Sequence, residues 1–126
     1  MSFSETEIAL VKSCRVLQDV PPEVVLAMIV NHPNRQCNLP PDSVFIKAGQ
    51  NNPGLFIIAH GIVELFVTDA EGNDKVIDFA KIGDTLAEET LFSDRPLQYS
   101  ARCLTQTAML HLPDTIIEQW MASYPL

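Results

Sequence analysis

Basic residues are scarce. Eight Lys and Arg stand against sixteen Asp and Glu in 126 residues, a formal charge of −8. Phosphate backbones are held chiefly by Lys and Arg, so any DNA contact has to come from a domain absent from this chain. No apolar run approaches the roughly 18 residues of a membrane span, and no basic segment precedes an apolar one at the N-terminus. That predicts a cytoplasmic chain with no membrane partner. The cysteines are few and scattered: Cys14, Cys37 and Cys103 form neither the CxxC spacing of a metal site nor an even disulfide framework, and are expected to be reduced, buried thiols. The three histidines, His32, His60 and His111, make no HxH or HExxH pair, so no metal site is expected. No nucleophile, base and orienting group occur at a recognisable spacing, and the chain is not expected to be an enzyme.

What is present is one domain's worth of ordinary globular sequence, with 47% hydrophobic and 19% charged residues. Two helices are expected first, within residues 1–33. Ser4-Glu5-Thr6-Glu7 has the form of a capping box, followed by Leu10, Cys14 and Leu17 at helical spacing. Pro21-Pro22-Glu23 opens a second helix with Val25, Met28 and Ile29 on one face, stopped at Asn31-His32-Pro33. From Asn34 the pattern changes to short apolar runs broken by turn residues. Candidate strands are Arg35 to Leu39, Ser43 to Lys47, Leu55 to Ala59, Ile62 to Thr68, Lys75 to Ala80, Tyr99 to Thr105 and Ala108 to Leu112. All five glycines fall between these runs, and Ala70-Glu71-Gly72-Asn73 reads as a hairpin loop. Many short, evenly spaced strands predict a mainly β jelly roll over 34–126, with the N-terminal helices packed on it. A last helix is expected from Asp114, with Ile117, Trp120, Met121 and Tyr124 as its apolar stripe.

The stretch from Gly83 to Thr105, GDTLAEETLFSDRPLQYSARCLT, stands apart. A Gly-Asp turn leads into an amphipathic piece, Leu86 to Phe92, then a polar loop with Pro96, then the strand from Tyr99. Such an insertion between strands brings backbone N–H groups beside the side chains of a returning strand, which is the makings of a pocket. By strand parity Tyr99, Cys103 and Thr105 share one face and Ser100, Arg102 and Leu104 the other, so only one of Tyr99 and Arg102 points inward. Arg102 is expected outward, in a surface ion pair.

GDTLAEETLF followed by Pro and SARCLT resembles the phosphate-binding cassette of cyclic-nucleotide-binding domains, in particular the sensor domains of the CRP/FNR transcription regulators. The family form is Gly-Asp-x-x-Gly-Glu-x-x-Leu-Phe and then Pro-Arg-Ser-Ala. FIKAGQ, GLFIIAHGIVELFV, AEGND and MLHLPDTIIEQW fit the same order, so the resemblance covers nearly the whole chain from about Asp19. It implies a double-stranded β-helix that binds a small-molecule effector and regulates transcription as a homodimer. Here the chain stops at Leu126, close to where related regulators begin the long helix that pairs two subunits and leads to a DNA reader. A stand-alone ligand-binding or protein-interaction module, with no action on DNA, is the second reading.

The departures from the family form bear on the ligand. Ala87 replaces the Gly, Glu88 keeps the acid that takes the ribose hydroxyl, and a gap-free reading puts Leu97 where the phosphate-binding Arg belongs. Glu88, Leu97, Gln98, Tyr99 and Ser100 are therefore the candidate ligand-binding residues, and cyclic AMP or GMP is disfavoured unless Arg95 or Arg102 reaches in. The leucine-alanine-glutamate run and the later Pro-x-x-Tyr also resemble the nitric-oxide-responsive, Dnr-like branch, whose sensor domain is linked to haem. That resemblance implies haem as a possible cofactor, with His60, His111 and Cys103 as conceivable axial ligands.

Overall fold

The computed structural model describes residues 36–51, 53–87, 95–113 and 115. The expected helices within 1–33, the helix from Asp114 and the acid Glu88 lie outside the described residues. What is described is built on strands: β1 (Gln36–Leu39), β2 (Val44–Ile46), β3 (Leu55–His60), β4 (Val63–Thr68), β5 (Asp74–Ala80), β6 (Thr85–Leu86), β7 (Ser100–Cys103) and β8 (Thr107–Leu112). They form two four-stranded sheets, β1-β8-β3-β6 and β2-β7-β4-β5, with antiparallel pairing throughout. The chain changes sheet at every connection except the hairpin from β4 to β5, which is the winding of a jelly roll.

Seven of these strands match the apolar runs of the sequence to within a residue or two at their ends. The eighth, β6, does not. Leu86, the first residue of the amphipathic piece 86–92, is a strand residue opposite Phe56, with Thr85 opposite Ile57, and the piece from Glu88 on lies outside the described residues. Two residues are too few to show alternation, so sequence periodicity cannot reveal such a strand. β5 differs from expectation in another way. It carries the apolar residues Val76, Ile77 and Phe79, yet every residue from Asp74 to Phe79 is exposed, Phe79 by 57%. The strand lies at a sheet edge and pairs only with β4, through a register shift between Leu65 and Phe66.

The core sits between the sheets. Phe56, Ile58 and Met109 from one sheet meet Ile46, Val63, Ala101 and Cys103 from the other, and Leu86, Ala87 and Leu97 close the same cluster. The alternate residues of β3 and β8, Leu55, Ile57, Leu110 and Leu112, are buried too. β3 and β8 are thus buried on both faces, which is why LFII and MLHL read as nearly continuous apolar runs.

The hairpin at Ala70–Asn73 is organised by Asp69, whose Oδ1 accepts hydrogen bonds from the amides of Glu71 and Asn73, both at 2.9 Å. At the other end of the roll two corners lean on each other. Gly61, with φ of 101°, turns β3 into β4, and the Ile62 amide donates to Thr105 Oγ1 at 3.0 Å while the Ile62 carbonyl accepts from Leu104 at 2.9 Å.

Candidate functional site

The described limbs of the 83–105 stretch are held in place from both sides. On the entering limb the Gly83 amide donates to the Ile58 carbonyl at 2.8 Å, and the Ile58 amide donates to Asp84 O at 3.0 Å. The Asp84 carboxylate is spent locally, accepting the Lys81 amide at 2.8 Å. On the returning limb Leu97 pairs with the loop after β2: its amide donates to Gln50 O at 2.8 Å and its carbonyl accepts from Gly49 at 2.7 Å. Ser100 Oγ accepts the Ala48 amide at 3.0 Å. These bonds zip the FIKAGQ loop to the start of β7.

The five candidate ligand residues take different places. Glu88 lies outside the described residues. Leu97 is 1% exposed, with its side chain in the core cluster beside Ala87 and Leu86. Gln98 is exposed and folds back, its Nε2 donating to Pro96 O at 3.0 Å. Ser100 is buried, its oxygen engaged with Ala48. Tyr99 turns inward, packs against the core, and accepts the Ala87 amide on its hydroxyl oxygen at 2.9 Å.

Ala87, noted from sequence only as standing in place of the family's Gly, takes an unusual conformation. It has φ of 68°, the left-handed region, and is fully buried. A non-glycine residue there costs about 1–2 kcal/mol. The signal was legible in one form: the family pattern has Gly at this position, and the backbone conformation explains why. In this chain a methyl group stands where the pattern leaves space.

Arg102 faces outward in an ion pair, as expected from the rarity of a buried unpaired Arg. Its Nε donates to Glu64 Oε1 at 2.7 Å, its Nη2 lies 2.6 Å from the same oxygen, and its Nη1 reaches Asp74 Oδ2 at 3.4 Å. The guanidinium also sits over the Phe66 ring, with Cζ 4.4 Å from the centroid. The hydrogen bond to Glu64, with help from the charges of Glu64 and Asp74, outweighs burial and raises the pKa of the guanidinium. Glu64 and Arg102 are direct cross-strand partners on β4 and β7, so the ion pair is also a sheet contact. Arg102→Ala leaves the buried Glu64 carboxylate without this partner and should lower stability by about 1–3 kcal/mol in urea denaturation. Arg102→Lys should recover only part of that, because the ammonium cannot keep the fork and the ring contact together.

The residues named for haem take separate places in the roll. His60 is exposed at the end of β3, opposite Ala108, whereas His111 is opposite Phe56. The two positions are four residue steps apart along the strand, about 13 Å. His111 stacks on Phe56, with centroids 4.3 Å apart, and its Nε2 lies 2.8 Å from Pro53 O. Cys103 is closed in the core, where burial pushes its thiol up against a smaller lowering by its hydrogen bond to Thr107. Burial raises the Cys37 thiol as well. Neither thiol has the lowered pKa of a ready ligand or nucleophile. Among the described residues no group of three His, Cys, Asp or Glu side chains is placed to hold a metal ion. No helix among them is long and apolar enough to cross a membrane.

Comparison with known proteins gives a consistent picture. The model of the cyclic nucleotide-binding domain family matches residues 36–124. The HTH-type transcriptional regulator Cmr of Mycobacterium tuberculosis is 31% identical over 85 residues, which are 68% of this chain and 34% of the regulator. The potassium channel AKT2 of Oryza sativa subsp. japonica is 25% identical over 118 residues, 94% of this chain and 14% of the channel. The chain thus spans about a third of the length of the regulator and about a seventh of that of the channel. Among solved structures, the sensor domain of the transcriptional regulator DNR from Pseudomonas aeruginosa superposes with a TM-score of 0.82 at 18% identity, covering 97% of this chain and 81% of that one. At that identity the likeness concerns the fold.

Proposed function

The chain belongs to the cyclic nucleotide-binding domain family, and from that premise we propose that it is the effector-sensing roll of a CRP/FNR-type transcription regulator whose effector is not a typical cyclic nucleotide. The match to a regulator at 31% identity supports the transcriptional reading over a place in an ion channel, where the identity is 25%. DNA contact and pairing of subunits belong to parts of the full regulator other than this acidic roll. The roll's own task is to bind, and to bind two states of the regulator unequally, since a ligand shifts an equilibrium only by its differential affinity.

The observation that carries the choice of effector is the engagement of Arg102. A cyclic phosphate enclosed in the roll needs a cationic partner, and an Arg–phosphate contact contributes about 1.5–3 kcal/mol. Arg102, the cation of β7, is held on the outer face by Glu64, Asp74 and Phe66. Leu97 in turn is an apolar core residue. Haem is a weaker candidate effector, because His111 Nε2 is engaged with Pro53 O and burial raises the pKa of the Cys103 thiol. Isothermal titration of the chain with cyclic AMP and cyclic GMP tests the proposal. The expected result is no saturable binding below millimolar concentration. Micromolar binding that disappears on changing Arg95 or Arg102 to Ala would overturn it.

A further inference from the structure

Resting on that reading, the geometry points to Tyr99 as the residue that sets the ligand class of the cassette. We infer that its neutral phenol occupies, from within the chain, the donor an anionic ligand group would need. Uncharged effectors are admitted on this account, and cyclic phosphates are turned away.

Three observations carry this. First, the two limbs of the 83–105 stretch are joined across twelve residues by the hydrogen bond from the Ala87 amide to Tyr99 Oη, at 2.9 Å. The donor is a backbone N–H on a residue turned into the left-handed region, and the acceptor comes from the returning limb. An anion lodged between the limbs has to replace the phenol oxygen at this amide, and meets no positive charge on Tyr99 in exchange. Second, the alanine methyl at position 87 is fully buried in the core cluster, so the space a glycine leaves beside the amide is filled. Third, the sequence register agrees with the geometry. Tyr99 immediately precedes Ser100-Ala101, as the Arg precedes Ser-Ala in the family form, with Leu97 and Gln98 as two extra residues after Pro96. The extra pair is placed accordingly. Leu97 packs in the core and Gln98 folds back on Pro96, so Tyr99 reaches inward from the seat before the Ser-Ala pair.

The test uses the full 126-residue chain, as wild type, Tyr99→Phe and Tyr99→Arg, with cyclic AMP as the probe. Tyr99→Phe removes the acceptor and keeps the ring, so hydrogen exchange at the Ala87 amide should quicken by roughly 5- to 10-fold, the worth of one hydrogen bond, while the rest of β3 and β8 keeps its protection. Tyr99→Arg frees the same amide and adds a charge, and should bind cyclic AMP at least about tenfold more tightly than wild type. If Tyr99→Arg does not fold, the exchange rate in Tyr99→Phe decides alone. A silent wild type, with Ala87 exchange unchanged in a folded Tyr99→Phe, overturns the role of Tyr99 and leaves the wider functional reading standing. Micromolar binding of cyclic AMP by the wild type overturns both.

Discussion

Leu97→Arg should destabilise the roll by about 3–5 kcal/mol and should not create a cyclic nucleotide site. The side chain is 1% exposed and lies among Ile46, Phe56, Leu86, Ala87 and Ala101, all of them apolar. A guanidinium brought there loses its water and finds no carboxylate among these neighbours, while the Leu it replaces gives up its packing. The backbone makes matters worse, because Leu97 is fixed to Gly49 and Gln50 on both its amide and its carbonyl and has little freedom to swing its side chain out. Urea denaturation measures the loss. A variant that folds within about 1 kcal/mol of wild type and gains affinity for cyclic AMP would show instead that position 97 lines the pocket. The pair Leu97→Arg and Tyr99→Arg therefore separates two placements of the same missing charge: the first variant should lose stability, the second should gain a ligand.

Gly61→Ala should be comparably damaging, by about 3 kcal/mol or more, for reasons of space rather than charge. A Cβ at this position would lie 2.5 Å from the Gln106 carbonyl oxygen, 2.7 Å from Thr107 Oγ1 and 2.9 Å from Thr107 Cα. Two of these three atoms are backbone, so a side-chain rotation cannot clear the way. The φ of 101° adds its own penalty for any L side chain. Gly72→Ala is the control. It has φ of 87° but no atom within 4 Å of the added carbon, so it should cost only about 1 kcal/mol. Comparing the two midpoints in one denaturant series isolates the contribution of close approach between the β3–β4 and β7–β8 corners.

Much of this roll was legible because its strands are short, apolar and separated by glycines, all five of which have positive φ. The two faces of the strand from Tyr99 followed from parity together with the rarity of a buried unpaired Arg: Tyr99 goes in and Arg102 goes out. Besides the two-residue β6, two things were not legible, for physical reasons. The exposure of β5 depends on its place at the sheet edge, and strand order is a non-local property that alternation does not encode. The partner of Tyr99 depends on the backbone of Ala87 adopting a conformation that alanine usually avoids, which composition and spacing do not announce. The family pattern, with Gly in that place, held the clue. Counting from Pro96 put the missing charge on Leu97, whose side chain lies in the core cluster.

The Ala87 amide offers the most direct view of the central claim, that a roll of this family has filled its anion seat from within. In a nitrogen-15 correlation spectrum of the wild-type chain, the Ala87 resonance should stay in place as cyclic AMP is raised to millimolar concentration, because the amide already donates to Tyr99 Oη. A saturable downfield shift of that resonance, with the Tyr99 ring signals moving in parallel, would contradict it: the phenol would then be a gate that the phosphate opens.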